Sequence, residues 1–227
     1  MSINIVKKID DLVKVSTVLI SVSDKTGLED FVPGLVKANP NIRILSTGGT
    51  YKKIEQILGK KAEKVLTPVS EYTGQPETQG GLVKTLDFKI YLGLLTETHN
   101  PDHQADLKRT GAVPVNMVVV NLYPFQQTIE AADVTPEKAR GNIDIGGPCM
   151  IRAAAKNFIR VASVVDPKDY PKILEELESM ESMTSLETRI SLAKKAFFHT
   201  AGYDQAIANY LRETSFNDIQ GSYEQIL

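Results

Sequence analysis

A chain of 227 residues with 42 % hydrophobic and 24 % charged residues has the balance of a soluble globular protein, large enough to bury a core without a covalent staple. Its single cysteine, Cys149, excludes an internal disulfide framework, and no Cys/His spacing matches a zinc site. The 26 basic and 28 acidic residues leave a net charge of −2, which gives no footprint for nucleic acid. No apolar run approaches a membrane span, and MSINIVKKIDDLVKV lacks the apolar stretch of a signal peptide. A cytoplasmic protein that handles a small molecule is expected, with neither nucleic acid nor membrane as partner.

Short β-branched runs alternate with helical patterns. Residues 17–22 (TVLISV) read as a strand buried on both faces, followed by a helix over about 27–38. Residues 42–45 read as a second strand before a helix over 50–58, and 90–95 (IYLGLL) as a third strand before a helix over 101–110. Residues 117–122 and 161–165 supply two more strands, with helices over 136–141 and 148–157 between them. Such alternation predicts an α/β fold with right-handed crossovers and a mostly parallel sheet. Pro33-Gly34 falls inside the first helix and predicts a kink or an early stop.

From Pro167 onward no further strand is expected, only two amphipathic helices. Thr184 and Glu187 read as a capping box for the second, whose apolar face is Leu186, Ile190, Ala193, Phe197 and Ala201 and which runs to about Leu211. One domain over residues 15–212 follows, with 1–14 as an N-terminal extension and 213–227 as a polar tail or truncated linker.

Two strand ends carry loops suited to phosphate. Ser21-Val22-Ser23-Asp24-Lys25-Thr26-Gly27 and Ser46-Thr47-Gly48-Gly49-Thr50 each follow a strand and precede a helix, at the carboxyl edge where open α/β sheets bind ligands. Glycines permit close backbone approach, hydroxyls donate, the helix N-terminus offers free N–H groups, and Lys25 adds a full charge. Thr26 and Glu29 also form a capping-box pair, so ordinary turn and cap duty is the competing reading. Neither loop has Walker A spacing. A third glycine turn, Ile143-Asp144-Ile145-Gly146-Gly147-Pro148, predicts Gly147 as N-cap and Pro148 at the first helical position. Its helix carries Arg152 and Lys156 one turn apart; Asp144 either balances the helix dipole beside two solvated bases, or these groups line a cleft. His99 and His103 have a helix-face metal spacing, but the loop at Asn100-Pro101 favours a solvated pair.

SVSDKTG, STGGT, GGLVKTL, NLYPF, IDIGG followed by RAAAKN, VVDPKDY and AFFHTAGYDQAIANYL occur in this order. Together, over about residues 15–212, they resemble the IMP cyclohydrolase domain of the bifunctional family that also carries AICAR transformylase. The resemblance implies a methylglyoxal-synthase-like three-layer sandwich with the C-terminal helices packed on it, and dehydrative closure of 5-formamidoimidazole-4-carboxamide ribotide to IMP. It implies Lys84 near the formyl oxygen, Asp144 at the carboxamide, and a Tyr123–Lys156 pair supporting proton transfer. Ser21, Ser23, Lys25, Ser46, Gly48, Gly49, Thr50, Thr85, Asn121 and Gly146 are implied as substrate-binding positions. No metal or organic cofactor is implied; a homodimer and an AICAR transformylase, fused or separate, are the expected partners. Where the family reads arginine, histidine, proline and histidine around the catalytic lysine, this chain has Leu82, Asp87, Phe88 and Tyr91. A nucleotide-binding regulatory module with lost catalysis and a methylglyoxal-synthase-type lyase are the alternatives.

Overall fold

A computed structural model describes residues 5–76 and 84–226. The chain opens with β1 (Leu12–Lys14), β2 (Thr17–Val22), α1 (Leu28–Ala38), β3 (Arg43–Ser46) and α2 (Gly48–Leu58). Next come α3 (Ala62–Val65), β4 (Leu66–Pro68), α4 (Val69–Thr73), α5 (Phe88–Leu95), α6 (Pro101–Thr110) and β5 (Met117–Asn121). α7 (Phe125–Ile129), α8 (Pro136–Gly141), α9 (Gly146–Lys156), β6 (Ala162–Val164) and α10 (Tyr170–Ser179) follow. β7 (Met183–Ser185), α11 (Leu186–Glu213) and α12 (Phe216–Gly221) complete the described chain.

Among the described residues, the strands form a parallel sheet in the order β4-β3-β2-β5-β6. The period of two in β2 splits its side chains between two cores. Val18, Ile20 and Val22 join Phe31, Leu35, Ile54 and Ile173 on one face. Leu19 joins Ile90, Leu94, Ile151 and Ala154 on the other. The result is three layers, an α/β sandwich, as the alternation predicts. The strand order reverses between β2 and β5, which pair Val22 with Asn121 at their carboxyl ends. That reversal puts the ligand-binding edge at the loops after β2, β3 and β5.

Several local expectations are corrected. Residues 90–95 are not a strand but belong to α5, with Asp87 as N-cap accepting from Lys89 N at 2.7 Å. Ile90, Gly93 and Leu94 bury one helical face, and a short apolar run does not by itself separate strand from buried helix. A Cβ on Gly93 would collide with the Val113 carbonyl, so glycine lets α5 lie against that backbone. Helix α1 runs unbroken through Pro33: the ring sits on the exposed face, while Gly34 makes room for Leu174 of α10, 2.7 Å from where a Cβ would stand. Gly27, at φ 76°, begins α1 in place of the Thr26–Glu29 box, and the Thr26 hydroxyl donates to Asp24 Oδ1 at 2.6 Å.

A strand does occur after Pro167. β7 pairs antiparallel with β1, Leu12 opposite Ser185. Thr184 therefore lies in a strand, and Ser185 caps α11 by accepting from Thr188 N at 3.2 Å. The buried stripe of α11 is Arg189, Leu192, Ala193, Ala196, Thr200 and Tyr203, turned away from the expected face, and Phe197 is exposed. The stripe shifts because α11 serves both cores: Leu192 enters the first, Ala193, Ala196 and Tyr203 the second. Beyond it, Ser215 and Asp218 box the start of α12, and Tyr223 Oη donates to Glu137 Oε2 at 2.6 Å. His99 pairs with Asp10, and His103 Nδ1 accepts from Glu97 N at 3.1 Å. No helix among the described residues is long and apolar enough to cross a membrane.

The far end of α5 is clamped from α9. Asn157 Nδ2 donates to Leu94 O at 2.7 Å and Thr96 O at 3.0 Å. The buried Arg160 guanidinium donates to Gly93 O at 2.5 Å, Thr96 O at 2.9 Å, Val115 O at 3.2 Å and Leu94 O at 3.3 Å. Together they satisfy the last carbonyls of α5, where a cation also meets the negative helix end. Burial pulls the Arg160 pKa down to about 10, which still leaves it charged at neutral pH. Arg160→Met removes these charge-assisted bonds and is expected to lower stability by about 3 kcal/mol. The urea midpoint should fall with an unchanged slope, and Arg160→Lys should recover only part because it lacks the fork.

Candidate functional site

The loops after β2 and β3 are laced together by hydroxyls. Ser21 Oγ and Thr47 Oγ1 are 2.9 Å apart. Thr50 Oγ1 accepts from Val22 N at 3.1 Å and donates to Val22 O at 3.0 Å. The buried Ser46 Oγ donates to Ile20 O at 2.7 Å. The hydroxyls of Ser46 and Thr50 are thus engaged by the frame, and what the second loop presents outward is backbone. Thr47 is extended, Gly48 turns at φ 45°, and no side chain caps the N-terminus of α2. An uncapped N-terminus of an eleven-residue helix carries free N–H groups and a positive dipole end.

Lysines converge on that end. Lys84 Nζ is 3.2 Å from where a Gly48 Cβ would stand, and Lys25 Cε is 4.0 Å from the corresponding point on Gly49. Lys25 also donates from Nζ to Ser23 O at 3.2 Å. A cleft of about 370 Å³ opens here, lined by Ser46, Gly48, Gly49, Lys52, Gln75 and Lys84 among others. Its wall is tied down by Asp87, whose second oxygen accepts from Gln75 Nε2 at 2.7 Å. Asn121 closes the crevice where the strand order reverses: its Oδ1 accepts from Ser23 N at 2.7 Å and Asp24 N at 2.9 Å, and its Nδ2 donates to Asp24 O at 2.8 Å.

The third glycine turn approaches through Thr85. A Cβ on Gly146 would stand 2.7 Å from Thr85 Oγ1, so the glycine permits contact with the residue that follows Lys84. A Cβ on Gly147 would collide with Asp144 Oδ2, so a second glycine lets the carboxylate fold back on the helix. Asp144 Oδ1 accepts from Gly147 N at 3.0 Å. Helix α9 accordingly begins at Gly146, ahead of the expected Gly147 cap and Pro148 start. Asp144 N donates to Tyr203 Oη at 2.7 Å, and Tyr203 Oη donates to Asn142 O at 3.2 Å. Burial raises the Asp144 pKa above the ordinary carboxylate value, against the lowering effect of the Gly147 and Gly146 amides.

The structure therefore gathers Ser21, Ser23, Lys25, Ser46, Gly48, Gly49, Thr50, Lys84, Thr85, Asn121, Asp144 and Gly146 along one edge of the sheet. Tyr123, 52 % exposed, stands at the carboxyl end of β5 on the side of Tyr203 and Asp144. Lys156 is not brought to this edge. It lies in the last turn of α9, ten residues beyond Gly146, which is about 15 Å of helix rise from the Asp144 turn. Arg152 lies over the Phe197 ring, 5.6 Å from its centroid, and so serves packing between α9 and α11. Leu82 lies outside the described residues. Gln75 and Tyr203 join the site without being singled out from sequence, and Thr47 is named there only as part of its loop. Thr47 sits within STGGT, whereas Tyr203 is 59 residues from Asp144 and no spacing rule links them.

Comparison with known proteins shows the family of this chain. Residues 27–149 match the family model of the MGS-like domain, and residues 154–226 match that of the AICARFT/IMPCHase bienzyme. The bifunctional purine biosynthesis protein PurH of Lactiplantibacillus plantarum is 48 % identical over 198 residues, 87 % of this chain and 37 % of its own length. PurH of Leptospira biflexa is 45 % identical over 202 residues, 89 % of this chain and 38 % of its own. The chain thus spans little more than a third of the curated relatives it matches. The crystal structure of ForH superposes with a TM-score of 0.73 at 30 % identity, covering 85 % of this chain and 94 % of that one.

The raised Asp144 pKa has a consequence for stability. Its folded value lies above its unfolded one, so the carboxyl favours folding when protonated and loses that contribution as pH rises through the folded pKa. Asp144→Asn keeps an acceptor for Gly147 N without the buried charge. It is expected to melt higher than the wild type at pH 7, with the difference vanishing below the ordinary value of 3.8, as thermal melts across pH would record.

Proposed function

The chain belongs to the family of MGS-like domains joined to the AICARFT/IMPCHase bienzyme signature, and from that premise we propose that it is an IMP cyclohydrolase of purine biosynthesis. One observation carries the reading: the two-residue step Lys84-Thr85 touches both the uncapped α2 N-terminus at Gly48 and the Asp144 turn at Gly146. A phosphate cradle and a partly buried carboxylate are thereby held on either side of one lysine. That is what a nucleotide needs if its base is to react beside an acid–base group.

In this reading the 5′-phosphate of the formamido ribotide lies on the Gly48 and Gly49 amides, with Lys25 beside them. The carboxamide nitrogen then attacks the formyl carbon within the same molecule, where positioning alone removes much of the barrier. A C–N bond forms, the nitrogen loses a proton to Asp144, and the formyl oxygen becomes an alkoxide facing Lys84. The oxygen takes up that proton to become a hydroxyl; the formamide N–H proton is then lost, the nitrogen's electron pair forms the ring C=N bond, and the C–O bond breaks as hydroxide leaves with that proton as water, giving IMP. Lys84 reaches between the cradle and the formyl oxygen on its flexible stem. Tyr123 stands at the mouth as a further proton-transfer group. Lys156 has no part in this arrangement within one chain; its role as partner of Tyr123 belongs to the resemblance alone. The AICAR transformylase, fused or separate, supplies the formylated substrate, and no metal or organic cofactor is required.

Lys84→Met tests the assignment, because it keeps the apolar stem and removes the charge. Loss of a well-placed oxyanion donor typically lowers kcat by about 10²–10³. The expected result is a kcat loss of that order, with the dissociation constant of IMP rising much less. An equal loss in IMP affinity would instead make Lys84 a phosphate ligand only. Calorimetry supplies the second check: IMP is expected to bind far more tightly than inosine, since each charge-assisted phosphate contact is worth about 1.5–3 kcal/mol. Equal affinity for the two would remove the phosphate cradle from the account.

A further inference from the structure

Tyr91 lies on α5 with its ring against the second core, and its hydroxyl oxygen is buried without a hydrogen-bond partner. Two other phenols packed in this core are paired: Tyr72 Oη accepts from Val113 N at 2.9 Å, and Tyr203 bridges Asp144 N and Asn142 O. A buried, unpaired hydroxyl destabilises a fold, and phenylalanine would fill the same space without that penalty. The hydroxyl therefore calls for an explanation outside packing. Its surroundings supply one. Cys149, on the first turn of α9, lies beside it without a hydrogen bond of normal geometry, and Asp144 is within electrostatic range. Burial pushes the phenol pKa far up, so it remains a proton donor at any working pH. Asp144 engages the Gly147 amide through Oδ1 and folds Oδ2 against the same glycine.

We propose that Tyr91 is a positioning residue for Asp144, its phenol O–H donating to the Asp144 carboxylate during ring closure so that the carboxylate stays ionised and aimed at the carboxamide. The inference rests on the cyclohydrolase reading and deepens it. Helix α5 carries this donor in from one side while the Gly146 and Gly147 amides hold the carboxylate from the other. The titratable groups about Asp144 are Tyr203 from α11, hydrogen-bonded to its backbone, and Tyr91 from α5, with Cys149 beside Tyr91, Tyr123 next to Tyr203 and Lys84 at Gly48 on the far side of Thr85. Of these, Tyr203 already spends its proton on Asn142 O.

Tyr91→Phe and Cys149→Ala, compared with wild type in melting temperature, kcat across pH and IMP affinity, test the proposal. Tyr91→Phe is expected to melt about 2–4 °C higher per factor of five in folding equilibrium gained, because an unpaired hydroxyl is removed. Its kcat is expected to fall about ten-fold, with the acid limb moving to higher pH, because a donor to the ionised carboxylate is lost. IMP affinity should stay within about two-fold, as the phosphate loops are untouched. Cys149→Ala should retain wild-type kcat. A Tyr91→Phe enzyme with unchanged kcat and acid limb would overturn the proposal, as would a lower melting temperature or the same kcat loss in Cys149→Ala. Wild-type protein without turnover overturns the functional reading instead. In that case the carbon-13 titration of the Asp144 carboxyl with IMP bound decides Tyr91 separately: an upward shift in Tyr91→Phe supports it, and no shift removes it.

Discussion

Helices α5 and α9 both start at the carboxyl edge of the sheet, α5 just after Lys84-Thr85 and α9 just after Asp144, and both end at one buried point. There Asn157 and Arg160 occupy the terminal carbonyls of α5. A guanidinium suits this place because five donors in a fixed plane can serve several carbonyls, and the negative end of a helix balances its charge without a carboxylate. Because a helix is a rigid rod, fixing the far ends limits where the near ends can lie. The distance between Lys84 and Asp144 is thus governed by a contact well away from either. Arg189 does comparable work at the other margin, where its buried guanidinium donates to Asp10 O, Phe158 O, Ile159 O and Thr184 O and ties the N-terminal segment to α11.

The site itself is less comfortable than its frame. Asp144 is held where burial opposes its charge, Tyr91 where its hydroxyl has no partner, and the α2 N-terminus is left uncapped. Each feature disfavours the isolated fold and each suits a bound nucleotide, the pattern expected when function is set against stability. Of the described departures from the family pattern, Tyr91 is one of these points, and Asp87 and Phe88 lie at the start of its helix. Asp87 caps α5 and holds Gln75 in the cleft wall, which gives that position a structural account. Phe88 is 64 % exposed, and nothing in the structure explains it.

Much of this was legible from residue order. The β-branched runs at 17–22 and 117–122 could hardly be anything but buried strands, glycine after a strand and before a helix marked the first two loops of the site, and a glycine pair at a helix start marked the third. The failures have physical causes. IYLGLL carries the apolar density of a strand, and only the Asp87 cap and the Gly93 approach to Val113, both tertiary facts, make it helical. The capping box at Thr184 was misplaced by one residue because β7 exists only through its pairing with β1, 171 residues away at Val13–Thr184. Lys156 reads as a neighbour of Asp144 in sequence, yet helix rise carries it to the opposite end of α9. Tyr203 had no local signal at all.

The central claim is that the phosphate cradle and the Asp144 turn act together on one nucleotide. Supplying the purified chain with 5-formamidoimidazole-4-carboxamide ribotide and following the ultraviolet absorbance of the closing ring tests it most directly. The account predicts stoichiometric, catalytic formation of IMP without added metal or cofactor. Tight binding of IMP with no ring closure above the uncatalysed rate would contradict it and leave a nucleotide-binding regulatory module in its place.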